Sequence, residues 1–446
     1  MNDPVVFVIG AGLAGSEAAW QLAEAGIRVR LYEMKPLRKS PAHHSDNYAE
    51  LVCSNSFRSD RIENAVGLLK EELRTMGSLI MSCADRTSVP AGGALAVDRE
   101  DFSSLVTKSI KNHPLIETVS EEVCSIPSEG TVIIATGPLT DGEMAESIMS
   151  ILGNSELHFF DAAAPIVMAN SIDRSIAFPM SRYGKGGDDY LNCPMNEEEY
   201  RQFYDALVTA EMAEVANFDK ETVFEGCMPI ETMAKRGYDT IRFGPMKPVG
   251  LIDPRIGKEP YACVQLRQDD RLATMFNIVG FQTRLRIPEQ QRVFRMIPGL
   301  RNAEFCRYGV MHRNTFINSP RILDSHYSLR NDSRIYFAGQ ITGVEGYVES
   351  VGSGFLSGIY AAAAIKKHPI ENPLTDNTMI GAMAAYVSDP AVTKFQPMNA
   401  NFGIIAPLGR KFKSKPEKNQ MFAERSQEEI SRFVPVISAL REKGYN

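Results

Sequence analysis

The residues with the most chemistry to offer are three glycines, one acid and two cysteines. Gly10, Gly12 and Gly15 stand in the run Gly10-Ala11-Gly12-Leu13-Ala14-Gly15, directly after the apolar stretch 5–9 and at the head of an alanine-rich helical pattern from Leu13 to about Ala25. A second predicted strand, 27–32, follows Gly26 and ends in Glu33. This is the strand–turn–helix–strand grammar of a dinucleotide site with an acid at its far end. Gly10 permits the tight turn, Gly12 lets backbone approach a pyrophosphate, and Gly15 lets helix and strand pack closely. The helix N-terminus offers unpaired N–H groups and partial positive charge to phosphates. Glu33 can accept hydrogen bonds from both hydroxyls of a ribose and would repel an additional 2′-phosphate. A glycine-rich turn without a ligand is the bland alternative, and the agreement of strand, helix and acid argues against it.

Seven cysteines stand at 53, 83, 124, 193, 227, 263 and 306 with no CxxC pair among them, which excludes a zinc ribbon and fits reduced thiols in the cytosol. Cys227, in Glu225-Gly226-Cys227-Met228-Pro229, lies on a Gly/Pro-flanked stretch entering a helical pattern, with Lys235 and Arg236 close in sequence. A thiol becomes a nucleophile where a cation or helix terminus ionises it. Cys53 lies in a polar, aperiodic stretch, 42–61, read as a long loop. A lone cysteine is more often a small buried core residue. That reading stands for Cys83, Cys124, Cys263 and Cys306, and Cys193 is undecided. His43 and His44 lack metal-ligand companions and read as loop residues; no metal site is expected.

The elements that must position these groups follow from the patterning. Helices are predicted over 65–76, 101–111 and 288–297, and one capped by Asn196 runs from Glu197 to about Ala210. A buried strand over 131–135 ends in Thr136-Gly137, and a later one over 335–338 ends in Gly339-Gln340, before a glycine-studded segment and an alanine-rich helix to about Lys367. Paired strands are expected over 261–268 and 275–283. The fold class is α/β: a Rossmann-like domain of the two-dinucleotide-fold flavoprotein type, interrupted by a smaller α/β insertion. The boundaries read 1–170, 171–320 and 321–446, the last with a C-terminal extension. The layout favours FAD over NAD as resident cofactor, with Thr136, Gly137, Gly339 and Gln340 beside the glycine turn. Such flavoproteins usually carry Asp where Gln340 stands.

Charge and length bound the rest. The 446 residues suffice for two domains, and 48 Lys/Arg against 55 Asp/Glu give a net charge of −7, against a strongly basic nucleic-acid binder. Yet 228–321 holds 16 Lys/Arg against 8 Asp/Glu, and a second basic cluster comprises Arg410, Lys411, Lys413, Lys415 and Lys418. These clusters could contact phosphates, or be solvated surface. Tyr261, Phe276, Phe281 and Phe305 could stack on a base but suit a core at strand spacing. No signal peptide is expected, and apolar runs such as 359–365 are too short to cross a bilayer.

Several strings carry a closer likeness: 10–17 (GAGLAGSE), 50–56 (ELVCSNS), 89–99 (VPAGGALAVDR), 224–236 (FEGCMPIETMAKR), 243–250 (FGPMKPVG), 264–268 (VQLRQ), 308–314 (YGVMHRN) and 337–350 (FAGQITGVEGYVES). Together they resemble the folate- and FAD-dependent tRNA (uracil-5-)-methyltransferase family, nearly end to end. A more distant resemblance is to the FAD-containing tRNA uridine-modifying proteins, which are longer and carry a helical C-terminal domain. The resemblance implies a cytoplasmic enzyme making 5-methyluridine in the T-loop of tRNA. Methylenetetrahydrofolate gives the carbon, FAD carries it and supplies reducing equivalents, and NADPH or NADH recharges the flavin. It implies Cys227 as the nucleophile and Cys53 as the base or a structural group at the flavin. His312 would stack on the pterin or be a hydrogen-bonded loop histidine. The chemistry explains the thiol: carbon 5 of uracil is a poor nucleophile until a thiolate adds to carbon 6. The insertion would form the RNA and folate side, with no membrane and no obligatory protein partner. The alternatives are methylation of an rRNA uridine, an FAD oxidoreductase acting on a small metabolite, or an RNA-binding flavoprotein with a structural flavin.

Overall fold

The computed structural model describes residues 5–152, 156–162, 164–184, 187–213, 228–393, 395–410 and 412–442. Val5–Ile9 and Arg28–Glu33 pair in parallel, joined by helix α1 (Leu13–Glu24), which Gly26 closes at φ +77°. Val132–Ile134 and Asp332–Phe337 extend the sheet on one side in parallel, and Ile116–Ser120 on the other. With Ser328–Leu329 at the edge, the order is the crossed-over arrangement of a doubly wound sheet. The central strands Val5–Ile9 and Val132–Ile134 are continuous apolar runs, as expected of strands covered on both faces, whereas Arg28–Glu33 alternates.

Three helices build the cover on the first half: α1, then α2 (Ala65–Met76) and α3 (Leu79–Arg86). Helix α4 (Tyr347–Ile365) crosses α1 at very close range. Small residues make this possible: a methyl on Gly354 would sit 2.2 Å from Ala14 O, and one on Gly358 2.8 Å from Ala18 O. By length and composition α4 could span a membrane, contrary to the sequence expectation, but nearly all of it is buried in this core. Helices α5 (Met379–Ser388) and α6 (Lys415–Glu442) complete the layer. Buried carboxylates pin these helices to one another. Glu17 of α1 accepts from Ser78 Oγ (2.7 Å) and Ile80 N (3.0 Å), capping α3. Glu72 of α2 accepts from Met379 N (2.7 Å) and Ile380 N (2.8 Å), capping α5, and from Ser426 Oγ of α6 (2.5 Å).

A second, antiparallel sheet runs Phe178–Pro179, Tyr190–Met195, Ala262–Gln268, Met275–Ile278, Ile166–Met168 and Phe305–Arg307. Helix Glu197–Thr209 packs on it, started by a capping box between Asn196 and Glu199. A two-stranded ribbon, Glu156–Ala162 with Met311–Ile317, stands where the chain passes between the sheets.

Two further sequence expectations change, and the core reading of the aromatics holds. The stretch 42–61 contains a short strand, Ser56–Ser59, which the polar sequence conceals because pairing with Ala94–Val97 creates it. Cys124 and Cys306 are exposed rather than core, whereas Cys83, Cys193 and Cys263 are buried. Phe276 and Phe281 are core residues, and Tyr261 sits in a ring cluster with Tyr200, 5.6 Å away.

Candidate functional site

The ends of the parallel strands open into a cleft of about 1270 Å³, its open mouth included. Gly10, Gly12, Leu13 and Ala14 line its floor. Gly10 has φ +99°, and a methyl there would lie 2.5 Å from Ala135 O, so conformation and space both require glycine. A methyl on Gly15 would come 1.8 Å from Gly10 O, which fixes the helix against its own turn. Gly12 differs: nothing lies within 4 Å of where its methyl would be, and that open side faces the cleft. No side chain caps α1, so its first-turn N–H groups are left for an anion.

Glu33 closes the floor, nearly buried. Its carboxylate accepts from Ala11 N at 2.9 Å and Lys35 N at 3.1 Å, which aims it and leaves further lone pairs for hydroxyl donors. Around it the structure adds lining residues that the sequence reading missed: Lys35, Ser40, His43 and Glu50. His43 Nδ1 lies 2.6 Å from Ser40 Oγ, and burial, with the Lys35 charge second, lowers its pKa. Across the mouth Arg38 joins Glu122 and holds Asp141 with two bonds of 2.8 and 2.9 Å. Thr136 and Gly137 form the opposite wall, tied by Thr140 Oγ1 to Thr136 Oγ1 and Gly137 O at 2.7 Å each.

Gly339, Gln340, Tyr347 and Ser350 form the remaining wall. Gly339 has φ +85°, donates to Ser353 Oγ (2.7 Å), and its α-carbon faces Ala14, so the early and late segments meet there. The Gln340 amide donates to Glu345 Oε1 (2.9 Å). Tyr347 was legible only as part of the quoted 337–350 string. Its hydroxyl accepts from Cys53 N (2.8 Å) and Ser54 N (3.1 Å).

That contact sets the place of Cys53, half-buried and next to Val52, which lines the cleft. Arg99 donates to Leu51 O, while Arg267, on the strand Ala262–Gln268 of the second sheet, donates to Ser54 Oγ (2.7 Å) and Asn55 Oδ1 (3.2 Å). Asn55 in turn donates to Val97 O (3.0 Å) and Gln268 O (2.9 Å). The Cys53 loop is thus clamped between helix α4 and the second sheet. Other buried thiols are held protonated: burial pushes Cys83 up to about 11 and Cys263 up to about 12, and raises Cys193 further.

Cys227 lies outside the described residues. The chain is described again from Met228, followed by helix Ile230–Ala234, whose buried Glu231 accepts from Thr283 Oγ1 and Arg284 N at 2.9 Å each. His312 belongs to the strand Met311–Ile317, opposite Asp161, and its side chain is outside what is described. Among the described residues, no group of three His, Cys, Asp or Glu could hold a metal ion.

Residues 5–369 match the family model described as glucose inhibited division protein A. A methylenetetrahydrofolate--tRNA-(uracil-5-)-methyltransferase TrmFO of Acetivibrio thermocellus is 60% identical over 97% of this chain and 99% of its own length. The protein of the same name from Geobacter sulfurreducens is 58% identical over 97% and 99%. Among solved structures, GidA of Aquifex aeolicus in two crystal forms superposes with TM-scores of 0.70 and 0.71 at 16% identity, over 99% of this chain and 74% and 77% of those chains. That likeness bears out the expected α/β fold.

Proposed function

This chain belongs to the GidA family and, within it, to the methylenetetrahydrofolate--tRNA-(uracil-5-)-methyltransferases, and from that premise we propose that it methylates carbon 5 of a uridine in the T-loop of tRNA. The observation that carries the reading on the molecule itself is the Cys53 loop, which holds a thiol beside the cleft wall through Tyr347.

FAD fits the cleft: Gly12 leaves a cradle that a side chain would fill, the uncapped start of α1 suits a pyrophosphate, and Glu33 is aimed for a ribose. Gly10, Ala11, Gly12, Leu13, Ala14, Gly15, Glu33, Thr136, Gly137, Gly339 and Gln340 would hold it. When bound, the flavin carries the one-carbon unit from methylenetetrahydrofolate and supplies the reducing equivalents, replenished by NADPH or NADH. The protein's own groups divide the rest. The Cys227 thiolate adds to carbon 6 of the uracil, making carbon 5 nucleophilic, and leaves again at the end. Cys53 takes the carbon 5 proton. Tyr347, Arg99 and Arg267 fix its loop. His312 stacks on the pterin. The target base, hidden in a folded T-loop, is flipped out to reach these groups. We assign 1–170 and 321–446 to the flavin-binding domain and 171–320 to the RNA and folate side, and place the enzyme in the cytoplasm.

The test is covalent capture on an RNA hairpin carrying 5-fluorouridine. Wild type is expected to give an adduct stable to denaturation, and Cys227→Ala none. An adduct that persists in Cys227→Ala, or its absence from wild type loaded with flavin and folate, refutes the assignment.

A further inference from the structure

The excess of 16 Lys/Arg over 8 Asp/Glu in 228–321 draws attention to the insertion as the phosphate-binding face, but several of these cations are held in ion pairs, two of them with acids from outside the stretch. Arg242 pairs with Asp239 (2.6 Å), Arg255 with Asp253 (2.7 Å), Arg286 with Glu211 (3.0 Å) and Arg292 with Glu289 (2.6 Å). Arg271 faces Asp101 (3.5 Å), and Arg267 is buried in the clamp on the Cys53 loop.

The C-terminal cluster is different. The nine residues 410–418 hold five Lys/Arg and one Glu. Arg410, Lys413, Lys415 and Lys418 are exposed, and among the described residues none of the four pairs with a carboxylate. Glu417, the one acid, is turned to Lys413 N (3.1 Å). Lys415 and Lys418 occupy the first turn of α6, where the helix dipole disfavours cations. Arg410 lies over the Phe412 ring (4.9 Å) and Lys418 over the Phe422 ring (5.3 Å), contacts that leave their charge uncancelled, so the cluster breaks this local rule with no acid to offset it and is open to an external anion.

The chain on both sides of the segment is fastened to the body of the protein, on the near side by Ala406, whose N–H donates to Asp376 O (2.7 Å) and whose carbonyl accepts from Arg425 (2.6 Å). Before it, Met398 N donates to Gly343 O (3.0 Å), Asn399 Nδ2 to Glu345 O (2.6 Å) and Ala400 N to Glu349 Oε1 (2.9 Å), so the chain leaves from the start of α4. After it, Asn419 Nδ2 donates to Glu63 O (2.9 Å), in the loop that follows Arg58, the partner of Glu349. We propose that the surface carrying Arg410, Lys413, Lys415 and Lys418 is the principal docking surface for the phosphate backbone of the RNA substrate, leaving the insertion to handle base and folate. This rests on the function proposed above.

The experiment measures binding of an unmodified tRNA transcript to the full-length flavin-loaded protein across about 50 to 200 mM salt. Combining Arg410→Ala, Lys413→Ala, Lys415→Ala and Lys418→Ala is expected to flatten the log–log salt slope by about 3 and to weaken binding by about 10- to 100-fold at the low-salt end, with bound flavin unchanged. Arginine in place of the three lysines should restore the slope. The matched triple change Arg242→Ala, Arg286→Ala and Arg292→Ala should alter it by less than about 1. A wild-type slope in the cluster variant overturns the proposal, as does an equal loss in the matched control. If wild type binds and methylates the transcript, such a result sinks this surface alone; if wild type neither binds nor methylates it, surface and function fall together. Anionic vesicles released by the cluster changes, with RNA affinity intact, would assign the face to lipid and likewise overturn it.

Discussion

At the scale of single residues, the cleft is defined as much by absent atoms as by present ones. Gly10 and Gly15 are required by contacts of 2.5 and 1.8 Å, whereas Gly12 is required only by what must approach it. These are different demands with different signatures. Gly15→Ala pushes α1 away from its turn and is expected to cost at least about 1–3 kcal/mol of stability, with loss of bound flavin, read from thermal unfolding and the visible absorbance of the purified protein. Gly12→Ala meets no protein atom, so any loss it causes belongs to the ligand.

Between elements, buried carboxylates act as caps delivered from a neighbouring helix. Glu72 is the strongest case, serving α5 and α6 from α2. Burial pushes its carboxyl from 4.5 up to about 7, against three donors that favour ionisation. Between those two values the unfolded chain has released this proton while the folded chain keeps it, so the folded state binds more protons and stability falls as pH rises. Glu72→Gln cannot titrate. The stability of wild type relative to this variant should therefore decline by about 3 kcal/mol from pH 4.5 to 7, measured by urea unfolding at each pH. A difference that stays flat over the window would exclude this titration.

Across the whole molecule, the Cys53 loop is where the second sheet is joined through side chains to helix α4. Arg267 reaches it from the second sheet, and burial lowers the guanidinium pKa, as expected for a charge held among neutral acceptors. Arg267→Met keeps much of the volume but leaves Ser54 Oγ and Asn55 Oδ1 without this donor, at a cost of about 2–3 kcal/mol. The expected outcome separates two functions: flavin content stays near wild type, because the cleft floor belongs to the first sheet, while methylation of RNA falls at least about tenfold. Equal loss of flavin and activity would mean that the clamp holds the fold rather than the loop.

The sequence by itself determined what depends on near neighbours. The glycine turn, α1 and the acid ending the next strand are legible because their logic lies within 5–33; α2 follows from its apolar period, and Glu197–Thr209 from its capping box. Helix α6 stayed unassigned in the sequence, because Pro435 inside it and its many charges masked the spacing of Phe422, Ile430, Phe433, Ile437 and Leu440. Tertiary structure alone decided which distant groups meet. Tyr347 reaches Cys53 across 294 residues, Arg267 reaches Ser54 across 213, and Glu72 caps a helix 307 residues away. It also decided which basic residues are cancelled and which remain open, because a charge count ignores partners. Periodicity and caps are local energies written along the chain, whereas a clamp, a seam or an unpaired cation exists only once folding brings remote atoms within hydrogen-bond distance or leaves them apart.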